Sequence, residues 1–205
     1  MNVPNILTMS RLGLAIVLMV LLSLQRPYMY SAAVLVFAIA GITDFLDGYL
    51  ARKHKIISSF GRLMDPLTDK VLVCAAFVSF VELQIHRGSL TLSLVPAWIV
   101  VIIIAREFLV TGLRLLAATH GNIIPAGKWG KHKTVWQIVV IVALLLGMAV
   151  RYDLLRGADP KLLADYDFVF SYVAQGLSLA VALVTLASGL LYFIQYRELI
   201  SSRRT

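Results

Sequence analysis

The sequence predicts an all-α integral membrane bundle of six transmembrane helices. The chain has 205 residues, of which 60% are hydrophobic and 15% are charged, whereas a soluble domain is nearer half apolar and about a quarter charged. The apolar residues also come in long runs, each long enough to cross about 30 Å of hydrocarbon. The runs cover residues 7–25, 30–51, 66–85, 93–119, 134–151 and 168–196. This length predicts a single domain, residues 1–205.

The first apolar run could be a signal peptide or a retained helix. Arg11 precedes an apolar stretch that ends at Leu24, as in a secretory signal. The stretch is followed by Gln25, Arg26 and Pro27, without the small residues of a cleavage site. We therefore expect a retained first transmembrane helix.

The basic residues predict the orientation of the bundle. Six spans place eleven Lys and Arg residues on the side of the termini and five on the other side. Because cytoplasmic loops are rich in Lys and Arg, both termini are predicted to be cytoplasmic. The net charge of +8 then reflects this bias and not a nucleic-acid partner. The acidic stretch 153–167 is expected to be a loop on the opposite side.

Four aspartates lie where the second and third predicted helices approach the cytoplasmic surface. Asp44 and Asp47 are three residues apart, and Asp65 and Asp69 are four apart. Each pair therefore shares one helical face, and the short connection predicts that the two helices are neighbours. Charges reaching out to water could explain Asp65 alone, which precedes Pro66.

The four carboxylates together indicate a metal site. An Asp inside a membrane helix costs about 2.5–3.5 kcal/mol on the translocon-insertion scale, and four such groups repel one another. Divalent cations with oxygen ligands relieve that repulsion, and Mg²⁺ is the usual ion beside phosphate groups. The predicted ligands are Asp44, Asp47, Asp65 and Asp69.

The spacing around these aspartates resembles a family signature. The pattern is Asp44-x2-Asp47-Gly48-x2-Ala51-Arg52-x8-Gly61-x3-Asp65-x3-Asp69. It is similar to the signature of the CDP-alcohol phosphotransferase family at all eight of its positions. The small residues also have physical reasons: Gly48 and Ala51 leave room for a ligand, although small residues in membrane helices often serve helix packing. Gly61 is expected to let the connecting loop turn closely.

The resemblance implies a reaction and a division of roles. Family members transfer a phosphatidyl group from a CDP-linked alcohol, usually CDP-diacylglycerol, to an acceptor hydroxyl and release CMP. The four aspartates would hold two divalent cations, Mg²⁺ or Mn²⁺, and Asp69 would also be the general base. The expected CDP-binding residues are Gly48, Ala51, Arg52 and Gly61. A homodimer is suggested by the family alone.

The N-terminal segment "PNILTMSR" is similar to the beginning of family members. Asn5, Thr8 and Arg11 are spaced by three and share a face. Asn5 and Thr8 are candidate diphosphate or nucleotide contacts. A capped amphipathic helix start at the interface explains the same residues equally well.

Two further segments bear on the acceptor. Arg106 and Glu107 lie within the fourth apolar run, so they should be paired or face a wet cavity. Glu107, Thr111 and Arg114 are four and seven apart and share a stripe. A basic loop, "AGKWGKHKTVWQ", then enters the fifth segment. The predicted acceptor phosphate-binding residues are Arg106, Arg114, Lys128, Lys131, His132, Lys133 and Thr134.

Ordinary loop charge explains that basic cluster too, but a phosphorylated acceptor would need such a pocket. Both segments also resemble those of the family members that use sn-glycerol 3-phosphate, the phosphatidylglycerolphosphate synthases. We therefore expect phosphatidylglycerol phosphate and CMP as products. The enzyme is expected in the bacterial cytoplasmic membrane, with its site facing the cytoplasm and the lipid bilayer as partner.

Three alternatives remain at this point. Another family member would use serine, inositol phosphate or phosphatidylglycerol as the acceptor. An intramembrane prenyltransferase also uses aspartate pairs and Mg²⁺, but its pairs lie on distant helices of a larger bundle. A cation transporter would spread acidic residues through the membrane depth, whereas these cluster at one face.

Overall fold

The computed structural model describes residues 3–54, 59–119 and 128–201, with side chains described for 9–43, 70–115, 117 and 133–194. Over these residues the protein is mostly helical. The α-helices are α1 Val3–Leu24, α2 Met29–His54, α3 Ser59–Glu82, α4 Ala97–Thr119, α5 Lys128–Ala149 and α6 Pro160–Ser201. A π-helical turn, Val150–Leu154, extends α5, and two strands, β1 Gln84–Arg87 and β2 Leu90–Ser93, separate α3 from α4.

The helices pack as an up-and-down bundle. Helix α1 packs along α2 and α3, α5 packs on α2 and α6, and α4 packs on α3 and α6. The most deeply buried side chains include Phe77, Phe80, Leu94, Ile103, Ile141 and Leu144. Many large apolar side chains of α1, α4, α5 and α6 instead point outward, as expected for helices whose outer surface faces lipid.

Two stretches of the described residues are long and apolar enough to cross a membrane: Lys133–Leu154, with 22 residues, and Pro160–Ile194, with 35 residues. Shorter apolar stretches cover Met9–Leu24 and Met29–Thr43. The helices thus follow the predicted segments in number and order, whereas six membrane crossings and the side of the termini stay predictions.

The strands correct the all-helical prediction. β1 and β2 pair antiparallel, with Arg87 opposite Leu90, so Gly88 and Ser89 form a two-residue turn. Gly88 has φ +59°, which an L side chain rarely adopts, and a two-residue hairpin turn needs such a residue. The hairpin lies on α6, where Arg87 donates to Ser171 Oγ at 2.9 Å and stacks over the Tyr172 ring.

The helix boundaries correct four further expectations. Gly61 lies within α3 and not in a connecting loop. Lys128, Lys131, His132 and Lys133, expected in a loop, belong to the first two turns of α5. Pro66 lies inside α3, because that helix begins at Ser59.

Helix α6 also begins earlier than predicted, at Pro160, so most of the expected acidic loop is helical. Asp159 Oδ1 accepts from the Lys161 N–H at 2.8 Å, and Pro160 occupies the first helical position, where its missing N–H is harmless. Arg151 compensates the charge of Asp167, with Nη2–Oδ2 at 2.8 Å.

Candidate active site

The aspartate motif spans the end of α2 and the beginning of α3. Asp44 and Asp47 lie in α2, and Asp65 and Asp69 lie in α3. The four residues between His54 and Ser59 can span about 18 Å at most, so these two helix ends lie at the same end of the bundle. Because both segments are continuous helix, positions 44 and 47 share a face, as do 65 and 69.

The side chains of most predicted site residues lie outside the described part of the chain. This holds for the aspartates, for the nucleotide candidates and for three acceptor candidates: Asp44, Asp47, Asp65, Asp69, Asn5, Thr8, Gly48, Ala51, Arg52, Gly61, Lys128, Lys131 and His132. Their helices are nevertheless known: Asn5 and Thr8 are in α1, and Gly48, Ala51 and Arg52 are in α2. Within the described side chains, no group of three or more His, Cys, Asp or Glu residues could hold a metal.

A buried ionic cluster adjoins the motif. The carboxylate of Glu107 on α4 is 3% exposed and contacts the ammonium of Lys133 on α5. Arg106 Nη1 lies 3.4 Å from Glu107 Oε1, and Lys70 Nζ lies 3.5 Å from Glu107 Oε2. Of the two alternatives expected for Arg106 and Glu107, a pair or a wet cavity, the structure shows ion pairs.

The cluster ties the motif to the acceptor segments. Lys70 directly follows Asp69 in α3, and it also contacts Thr111 and the Glu107 carbonyl oxygen on α4. Glu107 thus joins α3, α4 and α5 through side chains that are 26 and 37 residues away along the chain. A carboxylate buried this deeply needs cationic partners, and here it has three.

Two buried donors near this cluster have no hydrogen-bond acceptor within the described residues. One is Arg106 Nε, and the other is Gln137 Nε2, one helical turn after Lys133. Buried polar groups are nearly always satisfied, so each of these donors is a point where a polar ligand or water is needed.

The remaining acceptor candidates lie differently. Lys133 is 2% exposed, and its ammonium group forms an ion pair with the Glu107 carboxylate. Arg114 and Thr134 are exposed and lie outside the buried cluster. Glu107, Thr111 and Arg114 all lie in α4 with the expected spacing; the first two are buried, and Arg114 is exposed.

Lys70 is not among the predicted site residues, although a lysine inside an apolar run beside Asp69 is a signal that the sequence contains. The fold and this cluster define a class: helical membrane proteins with ionisable groups enclosed between helices.

Comparison with known proteins gives the family. The CDP-alcohol phosphatidyltransferase family model matches residues 1–188. The chain therefore belongs to the CDP-alcohol phosphatidyltransferase family.

Three curated relatives share the name CDP-diacylglycerol–glycerol-3-phosphate 3-phosphatidyltransferase. The Bacillus subtilis protein is 39% identical over 157 residues, which cover 71% of this chain and 77% of the relative. The Pseudomonas fluorescens protein is 39% identical, covering 71% and 72%, and the Haemophilus influenzae protein is 40% identical, covering 70% and 75%.

Proposed function

We propose that this protein transfers the phosphatidyl group from CDP-diacylglycerol to sn-glycerol 3-phosphate, which yields phosphatidylglycerol phosphate and CMP. The observation that carries the proposal is the 39% identity, over most of both chains, to relatives named for this reaction. The complete aspartate signature in α2 and α3 supports the same reaction type.

The proposed setting is a single domain, residues 1–205, that crosses the bacterial cytoplasmic membrane six times. Both termini and the aspartate end of the bundle would face the cytoplasm, as the eleven-to-five distribution of basic residues supports. A homodimer is proposed from the family resemblance. A site at the boundary between the membrane and the cytoplasm lets water-soluble CMP leave while the acyl chains stay in the lipid.

We propose that Asp44, Asp47, Asp65 and Asp69 hold two divalent cations, Mg²⁺ or Mn²⁺. Their oxygen-only donor set fits these hard ions, and their positions, in pairs on two helices that end at the same end of the bundle, suit a shared site. When bound, such ions stabilise the negative charge that develops on phosphate oxygens. Nucleotide contacts are proposed for Asn5, Thr8, Gly48, Ala51, Arg52 and Gly61.

In this mechanism the Asp69 carboxylate accepts the proton of the acceptor's primary hydroxyl. The hydroxyl oxygen attacks the phosphorus that bears the diacylglycerol, and a new P–O bond forms as the bond to the CMP oxygen breaks. CMP leaves with the electron pair of that bond. Asp69 then gives up its proton to solvent.

The acceptor phosphate is proposed to lie where α4 meets the start of α5. The buried Arg106 Nε, which has no acceptor among the described residues, supports this placement, and Lys128, Lys131 and His132 follow in the first two turns of α5. Because Lys133 contacts Glu107, its role would be to hold α5 against α4 and to add positive charge. Arg114 and Thr134 would contribute from the exposed edge.

Acceptor competition tests the proposal. The purified protein would be given CDP-diacylglycerol and Mg²⁺, and CMP release would be measured with glycerol 3-phosphate, serine, inositol phosphate or phosphatidylglycerol. Glycerol 3-phosphate should give the highest kcat/KM, and a chelator should abolish release. Equal CMP release with serine or inositol phosphate would contradict the proposed acceptor.

A further inference from the structure

A cavity of about 280 Å³ lies at the end of the bundle opposite the aspartates. It is formed where α1 joins α2 and where the π-helical turn leads to α6. The cavity lies at the first turn of α2, whereas Asp44 and Asp47 follow 15 and 18 residues after its first residue, Met29, which is about 22 to 27 Å at 1.5 Å per residue. Since the hydrocarbon core is about 30 Å thick, the cavity and the aspartates lie toward opposite membrane surfaces.

The walls of the cavity are aromatic, apolar and cationic. Tyr30 and Tyr152 line it, with ring centroids 5.3 Å apart. Leu163 adds an apolar surface, and Arg26 and Arg156 add two exposed guanidinium groups.

Arg26 and Arg156 differ from the other arginines at this end of the bundle in having no partner for their guanidinium groups among the described side chains. Arg87 donates to Ser171 and stacks on Tyr172, and Arg151, which also lines the cavity, binds Asp167 through two hydrogen bonds. Within the described side chains, the guanidinium groups of Arg26 and Arg156 form no hydrogen bond or ion pair. The rim of the cavity therefore carries two positive charges that the described protein does not neutralise.

The one acidic side chain buried nearby is already satisfied. Asp153 accepts from the Tyr28 and Ser31 N–H groups at 2.8 and 2.7 Å, and from Ser31 Oγ at 2.6 Å. It caps α2 and is not available to the arginines as a further partner.

We propose that this cavity binds a phosphate group at the membrane surface opposite the active site. Arginine is the side chain best suited to phosphate oxygens, since its planar fork donates two parallel hydrogen bonds. The cavity volume is at the lower end of the roughly 300–1,000 Å³ of small-molecule sites, and so suits a headgroup-sized anion. Two sources carry this group, an anionic lipid headgroup and free phosphate, and the apolar side chain of Leu163 suits the lipid.

Binding to the full-length protein in an uncharged detergent tests the proposal. The probes are short-chain phosphatidylglycerol, short-chain phosphatidylcholine as its zwitterionic counterpart, and inorganic phosphate titrated at constant ionic strength. Each dissociation constant is measured for the wild type and for Arg26→Gln, Arg156→Gln and Lys161→Gln. Lys161 is an exposed cation at the same end that does not line the cavity, so its variant is the matched control.

We expect each arginine variant to weaken binding at least about tenfold, because charge-assisted hydrogen bonds to the phosphate are lost, and the Lys161 variant to change binding less than twofold. The variants Arg26→Lys and Arg156→Lys keep the positive charge. They serve as controls for folding and should retain part of the affinity for the anionic probe. Tight phosphatidylglycerol with weak inorganic phosphate identifies a lipid headgroup, and the reverse identifies free phosphate.

Equal losses in all three Gln variants would overturn the proposal, because they would show diffuse surface charge and no site. The same holds if neither anionic probe binds more tightly than phosphatidylcholine. CMP release should be unchanged in the arginine variants, so this test and that of the proposed function succeed or fail separately.

Discussion

Glu107→Gln removes the carboxylate that three cationic side chains contact. Its pair with Lys133 has side chains that are 5% and 2% exposed, so solvent screens it little, and loss of one partner from such a pair costs about 3–5 kcal/mol. Lys70 has 30% of its side chain exposed and adds no more than about 1 kcal/mol. Against a typical total of about 5–15 kcal/mol, the variant should unfold at a much lower denaturant concentration.

The assay is equilibrium unfolding in mixed micelles, followed by the helical circular dichroism signal. Glu82→Gln is the control, since Glu82 lies at the end of α3, outside the cluster. The double variant Glu107→Gln/Lys133→Met removes both charges of this pair and should recover most of the loss, so that the two single losses are far from additive. Losses that simply add, within about 0.5 kcal/mol, would refute the argument that an unpaired buried cation causes the instability.

Four further changes test other parts of the structure. Asp69→Asn should abolish CMP release while the protein still inserts in the membrane; substantial remaining turnover would remove Asp69 as the base. Lys131→Ala should raise the KM for glycerol 3-phosphate more than that for CDP-diacylglycerol, with Lys161→Ala as control, and equal effects on both would argue against a separate acceptor pocket. Asp153→Asn should lower the free energy of unfolding by about 1–2 kcal/mol through a weakened cap, whereas Asp159→Asn, at an exposed helix start, should lower it less. Gly147→Ala should destabilise by about 1–3 kcal/mol, because the new Cβ would lie 2.1 Å from the Phe170 ring, while Gly176→Ala, with open space around it, should be tolerated.

The apolar runs predicted the six helices because burial of apolar surface dominates their placement. They did not predict the hairpin, whose strands have only four residues each and merge with the flanking apolar runs. Gly88 was the local signal for its turn. Asp159 and Pro160 are also typical of a helix start and could have predicted where α6 begins. The acidic residues around them instead led to the prediction of a loop.

The partners of the charged residues could not be read from the sequence. The position of Glu107 in an apolar run predicted that it is paired or faces a wet cavity, but not which residues pair with it: its contacts with Lys133 and Lys70 join different helices. Such contacts depend on how helices rotate against each other, and periodicity does not fix that rotation. The roles of the aspartates stay predictions, since their side chains lie outside the described part.

The cap that Asp153 places on α2 has a consequence for the helix that carries Asp44 and Asp47. Its three hydrogen bonds connect the first turn of α2 to the end of α5. A slip of α2 by one residue would shift its axis by about 1.5 Å and turn it by about 100°, and would break these bonds. The register of α2 is therefore set at one end of the bundle, whereas its two aspartates lie toward the other.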